Sequence, residues 1–450
     1  MIKNKERLSR NNERRLVLDA IEDVLKNCDP RSIVLDNVKL VDNTLIIKDI
    51  KIKLNFRSIY VIGGGKASGY MAEALNTILK DKITAGLVII PDYINEQLDT
   101  GKIKLWKASH PIPNAKGVEG VKKMLELAKQ ADKDDLVICL ISGGGSALMP
   151  MPYNGITLEE KQELTRLLLN AGANIDELNT VRKHISAIKG GRLIKLLKTN
   201  IIALIISDVI NDRLDTIASG LTVPDNTTYA DAKRIIEKYN LWNKVSHNIR
   251  RVIEDGIKGD IEETPKPNDP IFKDVKNIIL ANNEFACIKA MEYFVNNGID
   301  ARILTTTLQG EAKDVGLVLA SIANEIDKHN RPFNKPIALI AGGETYVSVK
   351  GNGKGGRNQE LVLSALRLLD AKSKWILASI GTDGIDGNSD AAGAIIDNLT
   401  KTYVLEHNIN IEDFLKENDS NTFFKNIGDV IYTGATGTNV NDITLIFIYS

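Results

Sequence analysis

Short runs of Val, Ile and Leu recur along the chain, and each is followed by glycines and then by a helical pattern. Three such units occupy residues 58–79, 135–149 and 201–220. Continuous apolar strands that alternate with helices are typical of a parallel sheet covered on both faces. In such sheets the ligand lies at the carboxyl ends of the strands, where all three glycine segments fall. The pattern therefore predicts an α/β fold with loops that bind a ligand.

A proline-rich segment divides the chain. Residues 264–270 read TPKPNDP, and neither a helix nor a central strand can accommodate prolines at that density. With 450 residues, the chain is long enough for two or three domains. We therefore predict one domain at 1–264 and a second at 270–450. The second repeats the strand–loop–helix order, and its last strand is expected at an edge of the sheet.

Composition excludes several classes of partner. Lys+Arg and Asp+Glu are equal at 58 each, which argues against a broad nucleic-acid-binding face. No apolar run approaches the roughly 20 residues needed to cross a bilayer. Residues 1–25 lack the apolar core of a signal peptide and are expected to form a charged arm and a solvated surface helix. The sequence thus predicts a cytoplasmic protein without nucleic-acid or membrane partners.

The cysteines give no sign of metal or disulfide chemistry. Cys28, Cys139 and Cys287 are far apart and odd in number, so they form neither a metal-binding spacing nor a disulfide framework. Cys139 lies inside the strand-like run DLVICLI. We expect its thiol to be buried and structural.

Two glycine loops of the N-terminal half can bind anions. GGGKASGYM at 63–71 places Lys66 between a strand and a helix, where amides and a lysine make an anion site. ISGGGSALMP at 141–150 has no lysine, but its glycines let the backbone approach a bulky anion, and Ser146 adds a hydroxyl. Each loop could instead be a tight structural turn.

A third glycine loop lies in the C-terminal half. GNGKGGRNQELVL at 351–363 carries Arg357 just before a helix that Asn358 is expected to cap. A guanidinium at that position can make a planar, two-pronged contact with a carboxylate or a phosphate. A loop with solvated cations is the alternative.

Acidic residues follow strand-like runs. Asp208 follows IIALIIS, and Asp383 and Asp386 follow WILASIG. Acids at strand ends beside anion sites favour Mg²⁺, held by one or two carboxylates and by phosphate oxygens. An Asx-rich turn with solvated acids is the alternative. Glu344, after the run IALI, is a further candidate acid.

The common nucleotide-binding motifs are absent from the sequence. No G-x-x-x-x-G-K-[ST] phosphate loop occurs. The segment GGGKASG has Ser68 where the dinucleotide fingerprint needs its third glycine. The sequence therefore supports nicotinamide binding only weakly.

Taken in order, these segments resemble the class II glycerate kinases, also called the MOFRL group. The similarity runs from about residue 15 to the end and is carried by GGGKASGYM, LISGGGSALMPMP, LIISDVINDRLDTIASG and AGGETYVSVKGNGKGGRNQE, among others. It implies an N-terminal Rossmann-like αβα domain with a parallel sheet, a C-terminal α/β domain and an active site in the cleft between them. It also implies ATP-dependent phosphorylation of D-glycerate, with 2-phosphoglycerate and ADP as the expected products.

The resemblance also implies roles for individual residues. Lys66 and Arg357 match residues treated as catalytic in the family, and Arg357 or a nearby donor is expected to bind the carboxylate of glycerate. Asp208 is expected to orient or deprotonate the attacking hydroxyl and to share Mg²⁺ with Asp383 and Asp386. The residues expected to hold ATP are Gly64, Gly65, Gly143, Gly144, Gly145 and Ser146. D-Glycerate is the expected small-molecule partner, and a homodimer is one option left open.

Two other functions stay open. The first is an NAD(P)H-dependent hydroxypyruvate reductase, a label that some family members have carried. The absent dinucleotide fingerprint argues against it. The second is a non-catalytic sugar-phosphate sensor built on a kinase-like scaffold. The presence of both the cationic and the acidic groups argues against that function.

Overall fold

A computed structural model describes residues 1–197 and 199–450, and it contains two compact units. The unit that we call the central unit is Pro30–Leu280. The unit that we call the terminal unit combines Met1–Asp29 with Ala281–Ser450. The proline-rich segment 264–270 lies inside the central unit. The domain limits of 1–264 and 270–450 stay a prediction.

A six-stranded sheet dominates the described part of the central unit. A small antiparallel sheet precedes it, with strands β1 (Val38–Val41), β2 (Thr44–Ile47) and β3 (Ile50–Lys53). The strands of the large sheet are β4 (Ile59–Gly64), β5 (Ala85–Pro91), β6 (Ile103–Ala108), β7 (Leu136–Ile141), β8 (Asn200–Ile206) and β9 (Val275–Ala281). Their spatial order is β6-β5-β4-β7-β8-β9, and neighbours from β6 to β8 pair in parallel. Strands β4 and β7 are buried along their whole length, Cys139 included, which explains their continuous apolar runs.

The terminal unit contains a mixed sheet. Its strands are β10 (Asp300–Leu308), β11 (Ile337–Gly343), β12 (Trp375–Gly381), β13 (Gly393–Asp397), β14 (Val430–Ile431) and β15 (Asp442–Ile448). Their order is β10-β11-β15-β12-β13-β14. The predicted edge position of the last strand is wrong, because β15 is buried throughout and pairs antiparallel with both β11 and β12. This register places Asp442 between Gly343 and Gly381.

Helices connect and cover these strands. In chain order they are α1 (Lys5–Leu8), α2 (Asn12–Asn27), α3 (Pro30–Asn37), α4 (Ser68–Leu79), α5 (Ala115–Ala128), α6 (Gly145–Leu148), α7 (Leu158–Asn170), α8 (Ile175–His184), α9 (Arg192–Leu196), α10 (Tyr229–Lys238), α11 (His247–Lys258), α12 (Asn283–Asn296), α13 (Ala312–His329), α14 (Arg357–Ala365), α15 (Asn398–Glu406), α16 (Ile411–Lys416) and α17 (Ser420–Ile427). Helix α7 begins with a reciprocal capping box of Thr157 and Glu160. Among the described residues, no helix has both the length and the apolar character that spanning a bilayer requires.

Helix α2 is anchored inside the terminal unit by a buried arginine. Arg14 is fully buried, and its guanidinium donates to Asp397 at 2.8 Å and to Asp429 at 2.5 Å. It also donates to the carbonyl oxygen of Ile395 at 3.2 Å. The expectation of a solvated N-terminal helix is therefore wrong for this face of α2. Its acidic partners lie more than 380 positions away along the chain, which no local pattern reveals.

Candidate active site

In the central unit, the glycine loops after β4 and β7 interlock. The amide of Lys66 donates to the carbonyl oxygen of Gly143 at 2.8 Å. The amide of Ala67 donates to the hydroxyl of Ser142 at 3.0 Å. A methyl group at Gly65, whose φ is 157°, would lie only 2.1 Å from that hydroxyl. Glycine is thus needed here because the two loops approach each other so closely.

Three functional side chains gather around Gly143 and Gly144. A methyl group at Gly143 would lie 2.0 Å from Asp208 Oδ2, so this carboxylate packs directly on the backbone. A methyl group at Gly144 would lie 2.9 Å from His110 Nε2 and 3.2 Å from Lys66 Cγ. The structure therefore brings together Lys66 and Asp208, which the sequence nominated. It adds His110, which was not among the residues predicted from the sequence.

His110 is held in its neutral form. Burial, with a further contribution from the nearby Lys66 cation, lowers the pKa of His110 to about 4. The imidazole is therefore uncharged at neutral pH and can accept a proton through one ring nitrogen. This is the protonation state that a base or an orienting group beside a hydroxyl requires.

The remaining glycines of these loops pack against each other rather than lining open space. A methyl group at Gly145 would lie 3.1 Å from the carbonyl oxygen of Gly64 and 2.9 Å from Ala218 Cβ. The amide of Gly65 donates to Ile89 and the amide of Gly145 donates to Ser142. These two amides are therefore used within the protein.

Ser146 connects the second glycine loop to the segment after β8. Its hydroxyl lies 2.8 Å from the hydroxyl of Ser219. Ser219 in turn donates to Asn179 Oδ1 at 3.1 Å. Ala218 and Ser219 have φ of 49° and 59°, a backbone conformation that residues other than glycine adopt rarely. A strained turn of this kind often marks a functional segment.

In the terminal unit, Arg357 lies at the first residue of α14 and is fixed by two acids. Its Nε and one terminal nitrogen donate to Asp442 at 2.5 and 3.0 Å, and the other donates to Glu344 at 2.7 Å. Burial lowers the pKa of Arg357, but the carboxylates of Asp442 and Glu344 outweigh that effect and raise it. Three of the five guanidinium N–H groups are thus used, and the side chain is 31% exposed.

Asp442 is a site residue that the sequence reasoning missed. It opens β15, and only the pairing of that strand with β11 and β12 brings it to Arg357. Asp383 lies nearby, because a methyl group at Gly381 would be 3.2 Å from Asp383 Oδ1 and 3.5 Å from Asp442 Oδ1. The structure therefore places Arg357, Asp442 and Asp383 at the end of the mixed sheet where β11 and β12 finish and β15 begins.

Asp386 has a different task from the one predicted. Its carboxylate is buried and accepts the backbone and side-chain N–H groups of Asn358 and Gln359 at 2.9 to 3.3 Å. It thereby satisfies the first turn of α14, whose N-cap residue is Gly356. The predicted capping by Asn358 is wrong, because the acceptor comes from a distant loop instead. The charge of Asp386 serves the helix that positions Arg357.

Comparison with known proteins identifies the family of this chain. Residues 16–254 match a family model described as a domain of unknown function (DUF4147), and residues 337–442 match the MOFRL family. A Pyrococcus horikoshii protein named glycerate 2-kinase is 43% identical over 97% of this chain and 98% of its own length. The chain belongs to the MOFRL family of glycerate kinases. The membership inferred from the motifs is thereby confirmed.

Two further comparisons concern a solved structure and a relative with a different name. The crystal structure of a glycerate kinase from Thermotoga maritima matches with a TM-score of 0.85 and 38% identity, over 96% of this chain and 98% of that chain. A relative from Agrobacterium vitis, provisionally named a hydroxypyruvate reductase, is 41% identical over 86% of this chain and 98% of its own length. The predicted α/β fold class is confirmed as well.

Proposed function

We propose that the protein transfers a phosphoryl group from ATP to D-glycerate and releases 2-phosphoglycerate and ADP. The observation that carries this proposal is the 43% identity, over 97% of the chain, to a protein named glycerate 2-kinase. The grouping of the Lys66, His110 and Asp208 side chains around Gly143 and Gly144 supports it. Phosphoryl transfer depends mainly on positioning and charge compensation, and this arrangement supplies both.

The central unit would handle the reacting groups. Lys66 would stabilise negative charge on the transferring phosphoryl group. Asp208 would orient or deprotonate the attacking hydroxyl, and the neutral His110 offers a second acceptor for that proton. Because the amides of Gly65 and Gly145 are already used, we assign phosphate contacts to those of Gly143, Gly144 and Ser146. Gly64 would act by allowing close packing of the loops.

Arg357 would bind the carboxylate of glycerate through N–H groups that its acidic partners leave unused. Asp442 and Glu344 hold the guanidinium plane in place, so little side-chain entropy is lost on binding. Gly356 and the capping carboxylate of Asp386 fix the start of the helix that carries Arg357. Arg357 thus presents its remaining N–H donors in a fixed direction.

The residues present also fit Mg²⁺ bound together with ATP, which would neutralise charge on the phosphates. Asp208, beside the glycine loop of the central unit, and Asp383, in the terminal unit, are each a candidate ligand. Asp386 is left out, because its oxygens already accept four hydrogen bonds. Within the described residues no three His, Cys, Asp or Glu side chains form a metal-binding group. Kinases do not need such a group, since one or two carboxylates and the phosphates suffice.

A coupled assay for ADP tests the proposal against its rivals. ATP, Mg²⁺ and D-glycerate together should release ADP, and omission of D-glycerate should abolish the release. The Agrobacterium vitis relative favours hydroxypyruvate reduction as the second candidate. Oxidation of NADH by hydroxypyruvate without ADP formation would establish that reductase instead. Binding of ATP and D-glycerate without ADP release would indicate a sensor.

Location and assembly form a smaller part of the proposal. We place the enzyme in the cytoplasm, and a homodimer is the assembly to be tested. Cell fractionation checks the first assignment. Light scattering of the purified protein checks the second, since a monomeric mass would contradict it.

A further inference from the structure

The central unit contains three cations for which the described residues provide no ion-pairing carboxylate. Lys161 on α7 is 6% exposed and donates to the carbonyl oxygen of Pro150 at 3.1 Å. Lys189 is 1% exposed and donates to the carbonyl oxygen of Ala218 at 3.2 Å. Arg182 on α8 is half-buried. Within the described ranges, no carboxylate forms an ion pair with any of the three, although buried charge is costly unless it is paired.

A neighbouring lysine shows the usual arrangement. Lys183 is 3% exposed, and its ammonium lies 3.3 Å from Asp225 and 3.6 Å from Asp215. Lys183 and Lys189 are six positions apart in the sequence and similarly buried. Carboxylates compensate the charge of Lys183, whereas Lys189 has no carboxylate partner in the part of the chain that the structure describes. Lys183 therefore serves as an internal control for Lys189.

The unpaired cations share one small region. Burial and the charge of Arg182 lower the pKa of Lys161 to about 7. Burial, followed by the charges of Lys161 and Arg182, lowers the pKa of Lys189 well below its usual value. The positive charges thus make protonation of Lys161 and of Lys189 less favourable. A bound anion would relieve all three at once.

A buried hydrogen-bond donor lies in the same region. Asn179 is 4% exposed, and its Nδ2 has no hydrogen-bond partner among the described residues. Asn179 and Arg182 are three positions apart on α8 and therefore share a face of the helix. Oδ1 of Asn179 accepts the hydroxyl of Ser219, which directly follows Ala218, the acceptor of Lys189. An unsatisfied buried donor beside unpaired cations indicates a missing acceptor.

We propose that these groups form a subsite for a small oxyanion, either a carboxylate or a phosphate group. Its members are Lys161, Asn179, Arg182 and Lys189. Ser219 connects the subsite to Ser146 of the second glycine loop through a 2.8 Å contact. The near-complete burial of three members suits one carboxylate or phosphate, and the half-buried Arg182 marks the side that solvent reaches. The two candidate sources are D-glycerate and the phosphates of ATP, and that identification rests on the proposed function.

Thermal unfolding with defined anions tests the subsite. Wild-type protein, Lys189→Met and Lys183→Met would each be titrated separately with inorganic phosphate, D-glycerate and ATP. We expect at least one probe to raise the Tm of the wild type and of Lys183→Met. For Lys189→Met its affinity should fall by about 10- to 100-fold, the effect of losing a hydrogen bond to a charged group. The probe that loses affinity identifies the source.

The anion-free proteins give a second readout. Lys183→Met should unfold at a lower temperature, because it leaves Asp225 buried without its partner. Lys189→Met should unfold at or above the wild-type temperature, because methionine removes an uncompensated cation. Equal affinities of wild type and Lys189→Met for every probe would overturn the subsite. A wild type that binds an anion through Lys189 but forms no ADP would keep the subsite and remove the kinase proposal.

Asn179→Asp provides an independent variant. The new carboxylate keeps an acceptor for Ser219 and replaces the unpartnered donor with an anionic oxygen facing the cations. We expect its anion-free Tm to exceed that of the wild type and its response to anions to disappear. A lower Tm with the anion response intact would contradict the proposal, because the carboxylate would then be buried away from the cations.

Discussion

The two units bury positive charge in different ways. In the terminal unit, Arg14 is fully buried, and two carboxylates, Asp397 and Asp429, accept its N–H groups. In the central unit, Lys161 and Lys189 are nearly as buried, yet each donates to a carbonyl oxygen. In the terminal unit, carboxylates of the chain itself therefore compensate the buried cation. Among the described residues, no carboxylate does so for Lys161 or Lys189.

The paired arrangement is typical of a stabilising contact, whereas the unpaired one is typical of a functional site. A buried ion pair resists the loss of either member, because the remaining charge is stranded. A buried cation without a carboxylate destabilises the free protein and becomes favourable only when an anion binds. Groups of the second kind are concentrated at functional sites. In this protein they lie beside the glycine loop that carries Ser146.

The largest expected effect comes from breaking the paired arrangement. Arg14→Met strands the carboxylate of Asp397 in the core and leaves Asp429 paired with the partly exposed Arg10. The free energy of unfolding, measured by urea denaturation, should fall by about 3–5 kcal/mol. Arg15→Met is the matched control, because Arg15 pairs with Glu6 on the exposed surface. That variant should lose no more than about 1 kcal/mol. Equal losses in the two variants would remove the contrast between the units.

A catalytic cation should behave differently from both kinds of buried cation. Lys66→Ala should reduce kcat on the order of 10²-fold, because a group that stabilises transition-state charge is lost. Its urea midpoint should change little. Lys122→Ala, an exposed lysine on α5, is the matched control and should keep wild-type turnover. Near wild-type kcat in Lys66→Ala, measured in the coupled ADP assay, would exclude its proposed role.

The unpaired cations should make stability depend on pH. Lys161 has a pKa of about 7 in the folded protein, below its ordinary value of 10.5. Between these values the unfolded chain binds more protons, so stability should increase as pH rises from 7 toward 10.5. One such group contributes at most about 1.4 kcal/mol per pH unit. Denaturation in buffers free of phosphate and carboxylate measures the slope. Lys161→Met should flatten it, and an unchanged slope would contradict the assigned environment.

The smallest expected effect concerns His110. Burial is the main cause of its lowered pKa, and the Lys66 cation adds to it. Lys66→Met should therefore raise the pKa of His110 from about 4 while leaving it below 6.5, as followed by NMR titration of the imidazole. A pKa unaffected by the substitution would place Lys66 too far from His110 to act on it.

Local patterns predicted much of the fold. Apolar runs indicated the strands β4, β7 and β8, because the apolar runs of parallel strands are continuous. The predicted helical pattern after β8 is wrong, since short 3-10 turns at Ile210–Asp212 and Ile217–Ser219 follow that strand. The capping box could be predicted from the three-residue spacing of Thr157 and Glu160. Lys66 and Asp208 were also predictable, since both follow strand ends directly in sequence. Each of these signals depends on residues that are neighbours along the chain.

Features that depend on distant pairing were not predictable in this way. The central position of β15 places Asp442 against Arg357 across 85 residues. Arg14 meets Asp397 across 383 residues, so its helix looked like a solvated one. Lys189 in KGGR resembles an exposed lysine, because nothing local shows that its side chain is buried against Ala218. Asp386 resembles a metal ligand in the sequence, because nothing local shows that its carboxylate accepts the N–H groups of Asn358 and Gln359.

Phosphorus NMR of the reaction products tests the proposed phosphoryl transfer. The protein would be incubated with ATP, Mg²⁺ and D-glycerate, and the products followed against authentic 2-phosphoglycerate and 3-phosphoglycerate. We expect the signals of 2-phosphoglycerate and ADP to grow in equal amounts. Formation of 3-phosphoglycerate, or no phosphorylated acid at all, would contradict it.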